Sequence, residues 1–287
     1  MASVTLRAQR GQSRNESALI ESEITARHPL RTDGRGLLER RQIKITSGRS
    51  HARAFTEISM GQTRVTATIS SRIAAPPPDR PREGFIVYQI VFGESSDGST
   101  SGSGHSEDTR HKENALSDLL ERTIRDSNII DLESLCIVPG EKVFCITCKV
   151  AVLDNCGNLM DAAGYAVFHA LKHFKRPQVT VDNSIVQEHM SEDKEPVPLS
   201  LHHQLNFSSF AFCAGGDVAL SDPTDREELV SDGNMTVVAN SHGELCGVFK
   251  IGGVPIHSDM LFKCVNVAVQ TSKVEEATGG EDVDMSV

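Results

Sequence analysis

The sequence predicts an α+β fold in which helices pack on mixed sheets. Several segments rich in Val, Ile and Phe precede each amphipathic segment, whereas a doubly wound parallel sheet would alternate single strands with single helices. The longest unit, residues 143–177, has the pattern of a strand, a turn of small residues and a helix. The chain shows no internal repeat, and its apolar content of 38% is enough for a sizeable core.

The N-terminal part predicts an arm, a short helix and three strands. Residues 1–14 carry three arginines and few large apolar groups, which favours a disordered basic arm. Asn15 is typical of a helix N-cap, and Leu19, Ile20 and Ile24 supply one apolar face. Alternating residues then predict strands over residues 41–48, 54–59 and 64–73.

A proline-rich loop and a polar insertion flank the next strand. Residues 75–84 contain four prolines, so they form a stiffened, exposed loop, and this loop carries Arg80 and Arg82. Residues 85–92 predict a strand. Residues 94–108 are rich in Ser and Gly and are acidic, which indicates a flexible surface insertion.

A long helix is predicted over residues 109–127. Its apolar positions recur every three or four residues, and its polar face places Asp118 one turn before Arg122 and Glu121 one turn before Arg125. These arginines, together with those of the proline-rich loop, are suited to contact phosphate groups. An equally open interpretation is that they form surface salt bridges.

The unit at 143–177 is the candidate for anion binding. Val143–Leu153 predicts a strand, residues 154–158 a tight turn, and the following helix ends before Pro177. Its apolar face is predicted to consist of Ala163, Ala166, Val167, Ala170, Leu171 and Phe174. A strand that enters a helix through such a turn is a common phosphate-binding geometry.

The C-terminal part predicts more strands and a last helix. Strand patterns occur near Val179, over 199–213, and over 234–239 and 244–250. The last helix begins at Ser258. Residues 273–287 are acidic and are predicted to be a disordered tail.

Charge and cysteine content limit the function classes. The formal net charge of −10 excludes nucleic-acid binding by bulk positive charge, so any RNA contact requires a local basic patch. The seven cysteines are odd in number and no signal peptide precedes them, which favours reduced thiols in the cytosol or nucleus. No apolar run reaches the length of a membrane span.

Candidate metal ligands are few. Cys145 and Cys148 have metal-ligand spacing, but on a strand they point to opposite faces. His169 and His173 lie one helical turn apart without a third ligand nearby. We therefore expect no metal and no cofactor. The acidic run at 222–228 could bind Mg²⁺ or form a solvated helix start.

Several segments taken together resemble the RNase PH family, and within it the exosome ring subunits of the polymyositis/scleroderma autoantigen type. The resemblance covers about residues 15–272. The segments that carry it are 31–35 (RTDGR), 41–45 (RQIKI), 60–65 (MGQTRV), 121–127 (ERTIRDS), 131–140 (DLESLCIVPG), 195–199 (EPVPL), 221–224 (SDPT) and 250–253 (KIGG).

The resemblance implies one RNase PH-type domain, related to the second domain of ribosomal protein S5, over residues 15–272. It implies a ring of six such subunits with S1/KH cap subunits, an associated nuclease and single-stranded RNA as partners. It also implies a nuclear, nucleolar and cytoplasmic role in 3′-to-5′ RNA processing and degradation, including ribosomal RNA maturation and mRNA decay.

Active members degrade RNA by phosphorolysis, and a Thr-Arg pair at the turn holds their phosphate. This chain has Leu159 and Met160 there, and Cys156 at the preceding acidic position. Asp222 and Glu228 match two residual carboxylates. Neither an alkyl group nor a thioether replaces a guanidinium as an anion ligand, so we predict a catalytically inactive subunit.

RNA contact is predicted at Arg122 and Arg125 and at the loop residues Arg80 and Arg82. Arg122 matches a residue that contacts RNA in the archaeal non-catalytic subunit, although Asp118 stands where that subunit has a second arginine. The alternative is an active phosphate-dependent 3′-to-5′ exoribonuclease that shares a composite site with a neighbouring subunit. A third hypothesis, from another class, is a free-standing S5-like RNA-binding module.

Overall fold

The computed structural model describes residues 14–25, 31–50, 53–93, 107–182, 185–189, 194–250, 252–278 and 282–284. Residues 1–13 of the arm predicted over 1–14 and most of the predicted insertion, 94–106, lie outside these ranges, and Arg14, the last residue of the predicted arm, begins a helix. Within the described ranges the chain forms five α-helices: α1 Arg14–Ile24, α2 Glu107–Asp126, α3 Leu159–His173, α4 Asp225–Val230 and α5 Ser258–Thr278.

The described strands follow in chain order, with short 3₁₀ turns at Glu133–Leu135 and Ala214–Gly216. They are β1 Ile43–Ser50, β2 Arg53–Met60, β3 Thr63–Ala74, β4 Phe85–Phe92, β5 Cys136–Val138, β6 Lys142–Asp154, β7 Lys175–Arg176, β8 Val179–Asp182, β9 Ile185–Glu188, β10 Val197–Pro198, β11 Leu205–Cys213, β12 Val218–Ser221, β13 Gly233–Asn240, β14 Leu245–Lys250 and β15 Asp282–Asp284. The predicted α+β class is confirmed.

The larger sheet has the order β15-β1-β2-β3-β6-β4, with β5 also paired to β6. Adjacent strands in this sheet are antiparallel, except for β4 with β6 and β1 with β15, which are parallel. Val65, Ala67 and Ile69 on β3 are fully buried and alternate with more exposed residues, as a sheet with one covered face requires. Helix α3 covers β2 and β3, and α2 covers β4.

The smaller sheet has the order β12-β11-β13-β14. Every residue of β11 is buried, because α3 packs on this strand and so does α5. The two sheets therefore enclose α3, and α5 lies on the smaller one.

Helix α3 is more buried than its predicted single apolar face. All residues from Met160 to Leu171 are buried, because sheets cover the helix on opposite sides. Gly164 permits the close approach: a Cβ atom there would lie 2.7 Å from the ring of Phe207 on β11.

The N-terminal helix α1 is present, but it begins at Arg14, so Asn15 lies inside it rather than at the predicted N-cap, and only part of the predicted apolar face is buried. Ile20 and Ile24 are buried in a cluster with Leu220 of β12. Leu19, predicted on the same face, is 55% exposed. The reason is that neighbouring residues on a helix are rotated by about 100°, so only residues three or four apart share a face.

Three further predicted boundaries differ at helix ends. Helix α3 ends at His173 rather than just before Pro177, and Phe174, predicted on its apolar face, follows it with extended backbone. Helix α2 begins at Glu107, inside the span predicted as a flexible insertion. Helix α5 continues to Thr278, past residue 273 where the tail was predicted to begin. Residues 273–277 include Lys, Glu and Ala, which favour helix, and glycines follow at 279–280. Within the acidic tail, β15 pairs with β1.

None of the helices in the described ranges combines the length and apolar character that a bilayer crossing requires. The described part of the chain also brings together no group of three or more His, Cys, Asp or Glu residues that could hold a metal ion. Cys145 and Cys148 are buried free thiols on β6, and burial raises the pKa of Cys148 to about 12.

Candidate functional site

The turn between β6 and α3 has the geometry that its small residues predict. Gly157 and Asn158 both adopt left-handed backbone, with φ of 90° and 57°. A Cβ atom on Gly157 would lie 2.4 Å from the backbone nitrogen of Asp225, so only glycine fits against the start of α4. The hydroxyl of Thr63 donates a hydrogen bond to the carbonyl of Gly157 (2.9 Å) and accepts one from the backbone N–H of Cys156 (3.2 Å).

The two residual carboxylates predicted from the sequence meet at this turn. The backbone N–H of Asn158 donates to Oε1 of Glu228 at 2.7 Å. The side-chain amide of Asn158 donates to Oδ1 of Asp222 at 2.6 Å. At the N-cap of α3, the backbone N–H and the side-chain amide of Asn158 are therefore both bound to carboxylates of the same chain.

Asp222 is fully buried and is surrounded by donors. The guanidinium of Arg41 binds its carboxylate with both arms, Nε to Oδ2 at 2.8 Å and Nη2 to Oδ1 at 2.7 Å. The backbone N–H of Arg41 also donates to Oδ2 at 2.8 Å, and Nη1 of Arg35 does so at 3.1 Å. Burial would raise the pKa of Asp222, but Arg41 outweighs this and holds the pKa well below its usual range.

The first strand begins later than the sequence pattern predicts, and Arg41 lies outside it. The sequence pattern predicts a strand from residue 41, whereas β1 begins at Ile43. The backbone N–H of Arg41 is bound to Asp222 and its guanidinium reaches the carbonyls of Cys156 (3.2 Å) and Gly157 (3.3 Å). This residue thus belongs to the turn rather than to the sheet.

The pKa of Glu228 is shifted upward, in the opposite direction to that of Asp222. Removal of its carboxyl group from water raises the pKa of Glu228 to about 7, although the residue as a whole is half-buried. The hydrogen bond from Asn158 and the charge of Arg41 lower this pKa, and the nearby carboxylates of Asp225 and Asp222 raise it. Two carboxyl groups at one turn therefore have different protonation equilibria.

Asp161 is a third carboxylate at the turn, which the sequence analysis missed. It is fully buried in the first turn of α3, where the hydroxyl of Ser209 donates to it at 2.6 Å and the amide of Asn158 at 2.9 Å. Arg40 lies 3.8 Å away. Burial raises the pKa of Asp161, and Arg40 and these hydrogen bonds oppose the rise.

The three positions predicted to have lost the chemistry lie beside these groups. Met160 is buried, and Leu159 is half-buried at the first turn of α3. Cys156 is half-buried, with its thiol 3.7 Å from the side-chain oxygen of Gln62. The cation at the turn is thus Arg41, which comes from the segment before β1 and is already bound to Asp222.

A second ion pair fixes the loop that carries Asp222. The Thr224 side chain and Glu227 form a capping box at the start of α4. Nε of Arg31 donates to Oε1 of Glu227 at 2.8 Å, and Nη2 of Arg31 donates to the carbonyl of Asp222 at 2.8 Å. Arg31 is 3% exposed. A buried arginine therefore fixes the backbone at Asp222 and so the position of the Asp222 carboxylate.

The residues missed by the sequence analysis are Arg31, Arg35, Arg41, Asn158 and Asp161. The available signal was the density of arginine in segments 31–35 and 40–41 of an acidic chain. Their partners at 222–227 are too distant in sequence for spacing to pair them.

The four predicted RNA-binding arginines lie on the proline-rich loop and α2. Arg80 and Arg125 line one cavity, each with a carboxylate partner: Glu83 at 3.2 Å and Glu121 at 3.4 Å. Arg82 is exposed on the loop.

Arg122 pairs with a different carboxylate from the predicted one. It lies 3.5 Å from Asp126 rather than beside Asp118, and its guanidinium is 5.8 Å from the centre of the Phe249 ring on β14. Both members of the ion pair are exposed, so the pair contributes less than about 1 kcal/mol. It therefore leaves Arg122 able to exchange its partner for a phosphate.

Two family models match the chain. The model described as "3' exoribonuclease family, domain 1" matches residues 39–177, and "3' exoribonuclease family, domain 2" matches residues 207–271. Both segments lie within residues 15–272, which the sequence analysis treats as one domain.

Named proteins are similar in sequence to this chain over most of its length. "Exosome complex component rrp45" of Schizosaccharomyces pombe is 35% identical over 263 residues, which cover 88% of this chain and 87% of that protein. "Exosome complex component RRP45" of Danio rerio is 37% identical over 249 residues, which cover 86% of this chain. The chain spans only 61% of the length of the Danio rerio relative.

A solved structure shares the fold. A chain of the structure described as "archaeoglobus fulgidus exosome with RNA bound to the active site" superimposes with a TM-score of 0.78 at 22% identity. The superposition covers 92% of this chain and 98% of the archaeal chain.

Proposed function

Since this chain belongs to the RNase PH family of 3′ exoribonucleases, we propose that it is a ring subunit of a eukaryotic RNA exosome core. It builds the ring and contacts RNA but does not itself cleave it. The similarity to exosome components of fission yeast and zebrafish supports the assembly. The geometry of the turn at 154–158 supports the loss of catalysis.

The proposal includes the partners and location implied by the family resemblance. The chain docks with other RNase PH-like subunits in a hexameric ring that carries S1/KH cap subunits. The ring guides single-stranded RNA to a nuclease held elsewhere in the complex. It acts in the nucleus, nucleolus and cytoplasm, in ribosomal RNA maturation and RNA degradation.

One observation carries the proposal of inactivity: Leu159 and Met160 stand at the start of α3, where the family resemblance implies a hydroxyl and an arginine for the phosphate, and the nearby carboxylates are bound within the chain. Glu228 accepts from the backbone N–H of Asn158 at the start of α3, and Asp222 is bound by both arms of Arg41. An inorganic phosphate that bound the N–H of Asn158 would have to displace Glu228. The family's hydroxyl and arginine ligands, which would compensate, are replaced here by Leu159 and Met160.

RNA contact is proposed for the exposed arginines Arg80, Arg82, Arg122 and Arg125. The ion pairs of Arg80, Arg122 and Arg125 are exposed and therefore weak, so a phosphodiester can replace the carboxylate partner. A few such contacts in each subunit, repeated around a ring, are enough to hold single-stranded RNA without reading its sequence.

A specific observation keeps the alternative, an active site shared with a neighbouring subunit, as the second candidate. The pKa of Glu228 is raised to about 7, which is the range of a general acid at neutral pH. A neighbour that supplied the phosphate ligands could use this carboxyl group.

A phosphorolysis assay distinguishes the two functions. The purified chain, alone and with an RNase PH-like ring partner, is incubated with labelled single-stranded RNA and inorganic phosphate. We expect no release of nucleoside diphosphates above background, while an active RNase PH enzyme serves as positive control. Release that Glu228→Gln abolishes, and that the matched exposed variant Glu188→Gln does not, would overturn the proposal of inactivity.

A further inference from the structure

A cavity of about 260 Å³ lies between the proline-rich loop and helix α2. Its inner surface is apolar and includes Phe85, Tyr88, Ile124 and Leu132. Tyr88 and Ile124 are buried members of the main core. The cavity thus reaches from the surface to the core between β4 and α2.

Backbone contacts hold the proline-rich wall of this cavity in place. The N–H of Gly84 donates to the carbonyl of Leu132 at 2.9 Å, and the N–H of Gly140 donates to the carbonyl of Pro81 at 2.8 Å. A Cβ atom on Gly84 would lie 2.4 Å from the Cβ atom of Leu135, so the loop is packed against its neighbour. The prolines limit backbone motion further. The cavity is therefore preformed.

The rim of the cavity has an excess of negative charge. Of its five charged residues, Arg80 pairs with Glu83 (3.2 Å) and Arg125 pairs with Glu121 (3.4 Å). The fifth, Asp79, is exposed, and its carboxylate has no ion-pair or hydrogen-bond partner among the described residues. A cationic group beside Asp79 would therefore meet an unpaired carboxylate, whereas a phosphate at Arg80 or Arg125 must first displace Glu83 or Glu121.

We propose that this cavity is a docking pocket for a protein segment that inserts one aliphatic or aromatic side chain and places a Lys or Arg beside Asp79. The apolar wall removes the inserted side chain from water, which favours binding. The unpaired carboxylate selects the neighbouring cation. The pocket lies apart from the turn at 154–158, and its rim shares Arg80 and Arg125 with the proposed RNA contacts.

The test uses the full-length chain with isoleucine methyl groups labelled for NMR. Ile124 and Ile130 line the cavity and report occupancy. The probe is the peptide acetyl-Arg-Leu-Lys-amide, compared with acetyl-Glu-Leu-Glu-amide and with a short oligouridylate. The variant Asp79→Lys reverses the rim charge at an exposed position. Glu188→Lys makes the same change on β9, outside the cavity.

We expect saturable shifts of both methyl signals with the basic peptide only. Asp79→Lys is expected to weaken the apparent Kd about 3- to 10-fold, and Glu188→Lys to leave it unchanged within about 2-fold. The proposal is overturned if the basic peptide gives no saturable shift, if the acidic peptide gives an equal one, or if oligouridylate saturates the methyl shifts while the peptide does not. It is also overturned if both variants weaken binding equally.

Discussion

At the scale of single residues, Asp222 joins three distant parts of the chain. Its carboxylate binds Arg41, which precedes β1, and Asn158, which begins α3. Its own carbonyl accepts from Arg31. Removal of one partner from such a buried pair leaves the other charge without compensation, and this usually costs more than the pair contributes.

Asp222→Asn is therefore expected to lower the free energy of unfolding by about 3 kcal/mol, because it leaves the Arg41 guanidinium buried without its counter-ion. Urea unfolding followed by circular dichroism measures the change. The matched control is Asp154→Asn, which removes the exposed pair with Arg64 at 2.8 Å and should cost less than about 1 kcal/mol. Equal losses in the two variants would contradict the structural role of Asp222.

The raised pKa of Glu228 predicts a contribution to folding stability that decreases as the pH rises. Its pKa is about 7 in the folded chain against an ordinary value of 4.5, so between these values the folded state holds a proton that the unfolded state has released. This contribution to stability is complete below about pH 4.5 and is lost as the pH rises to 7. Asp222 affects stability in a different pH range. Because its pKa is lowered in the folded chain, its contribution to stability is lost only as the pH falls below the ordinary pKa of 3.8.

Glu228→Gln should remove this loss, so that the variant gains about 1–2 kcal/mol relative to the original chain between pH 5 and pH 8. The difference between the two unfolding free energies, measured across this range, isolates the one group. Glu188→Gln, on the exposed strand β9, should show no such trend. A difference that is constant with pH would contradict the raised pKa.

At the scale of elements, the starts of α3 and α4 are built against each other. The backbone N–H of Asp225 donates to the carbonyl of Cys156 at 3.2 Å, and Gly157 lies directly on the Thr224–Asp225 backbone. The capping box of Thr224 then fixes the first turn of α4. This contact brings the carboxylates of one element to the N–H groups of the other.

Gly157→Ala is expected to lower the free energy of unfolding by more than about 3 kcal/mol, since the new Cβ atom collides with backbone and the residue has φ of 90°. Gly140→Ala is the control, because Gly140 has φ of 80° but an open environment. It should cost only about 1 kcal/mol for the left-handed conformation. Thermal or urea unfolding of both variants separates collision from conformation, and equal costs would contradict the close contact.

At the scale of the whole molecule, α3 lies between two sheets, while α2 and the proline-rich loop remain at the surface with their arginines. The proposed ring subunit thus separates its roles in space. The turn at 154–158 is filled from within the chain, and the proposed RNA contacts lie on other, exposed elements.

Arg122→Glu is expected to weaken RNA binding by the assembled ring about 2- to 10-fold and to reduce the dependence of log affinity on log salt by about one unit, since one phosphate contact is lost. Arg226→Glu is the control: Arg226 is 63% exposed on α4 and pairs with Glu16, and its replacement should leave RNA binding unchanged. Filter binding at several salt concentrations and nuclease footprinting provide the measurements. Unchanged RNA protection with Arg122→Glu would exclude this contact, and size-exclusion chromatography checks that assembly is intact.

The sequence by itself determined the fold class, the position of the main strands and helices, and the identity of the residues at the turn. Period-two and period-3.6 patterns located β3, β4, β6, α2 and α3, because a half-buried strand or helix must place apolar residues on its covered face. The replacement of ligand side chains by Leu159 and Met160 is also a property of the sequence alone.

Only the tertiary structure decided which groups surround the turn at 154–158. The pairing of Arg41 with Asp222 spans 181 residues, and the bond from Asn158 to Glu228 spans 70. No local spacing rule reaches so far, and a charge run such as 222–228 has the same pattern whether it is solvated or buried. The burial of α3 from Met160 to Leu171 and the cavity beneath the proline-rich loop likewise arise from elements that meet only in the folded chain, where packing and desolvation act on residues distant in sequence.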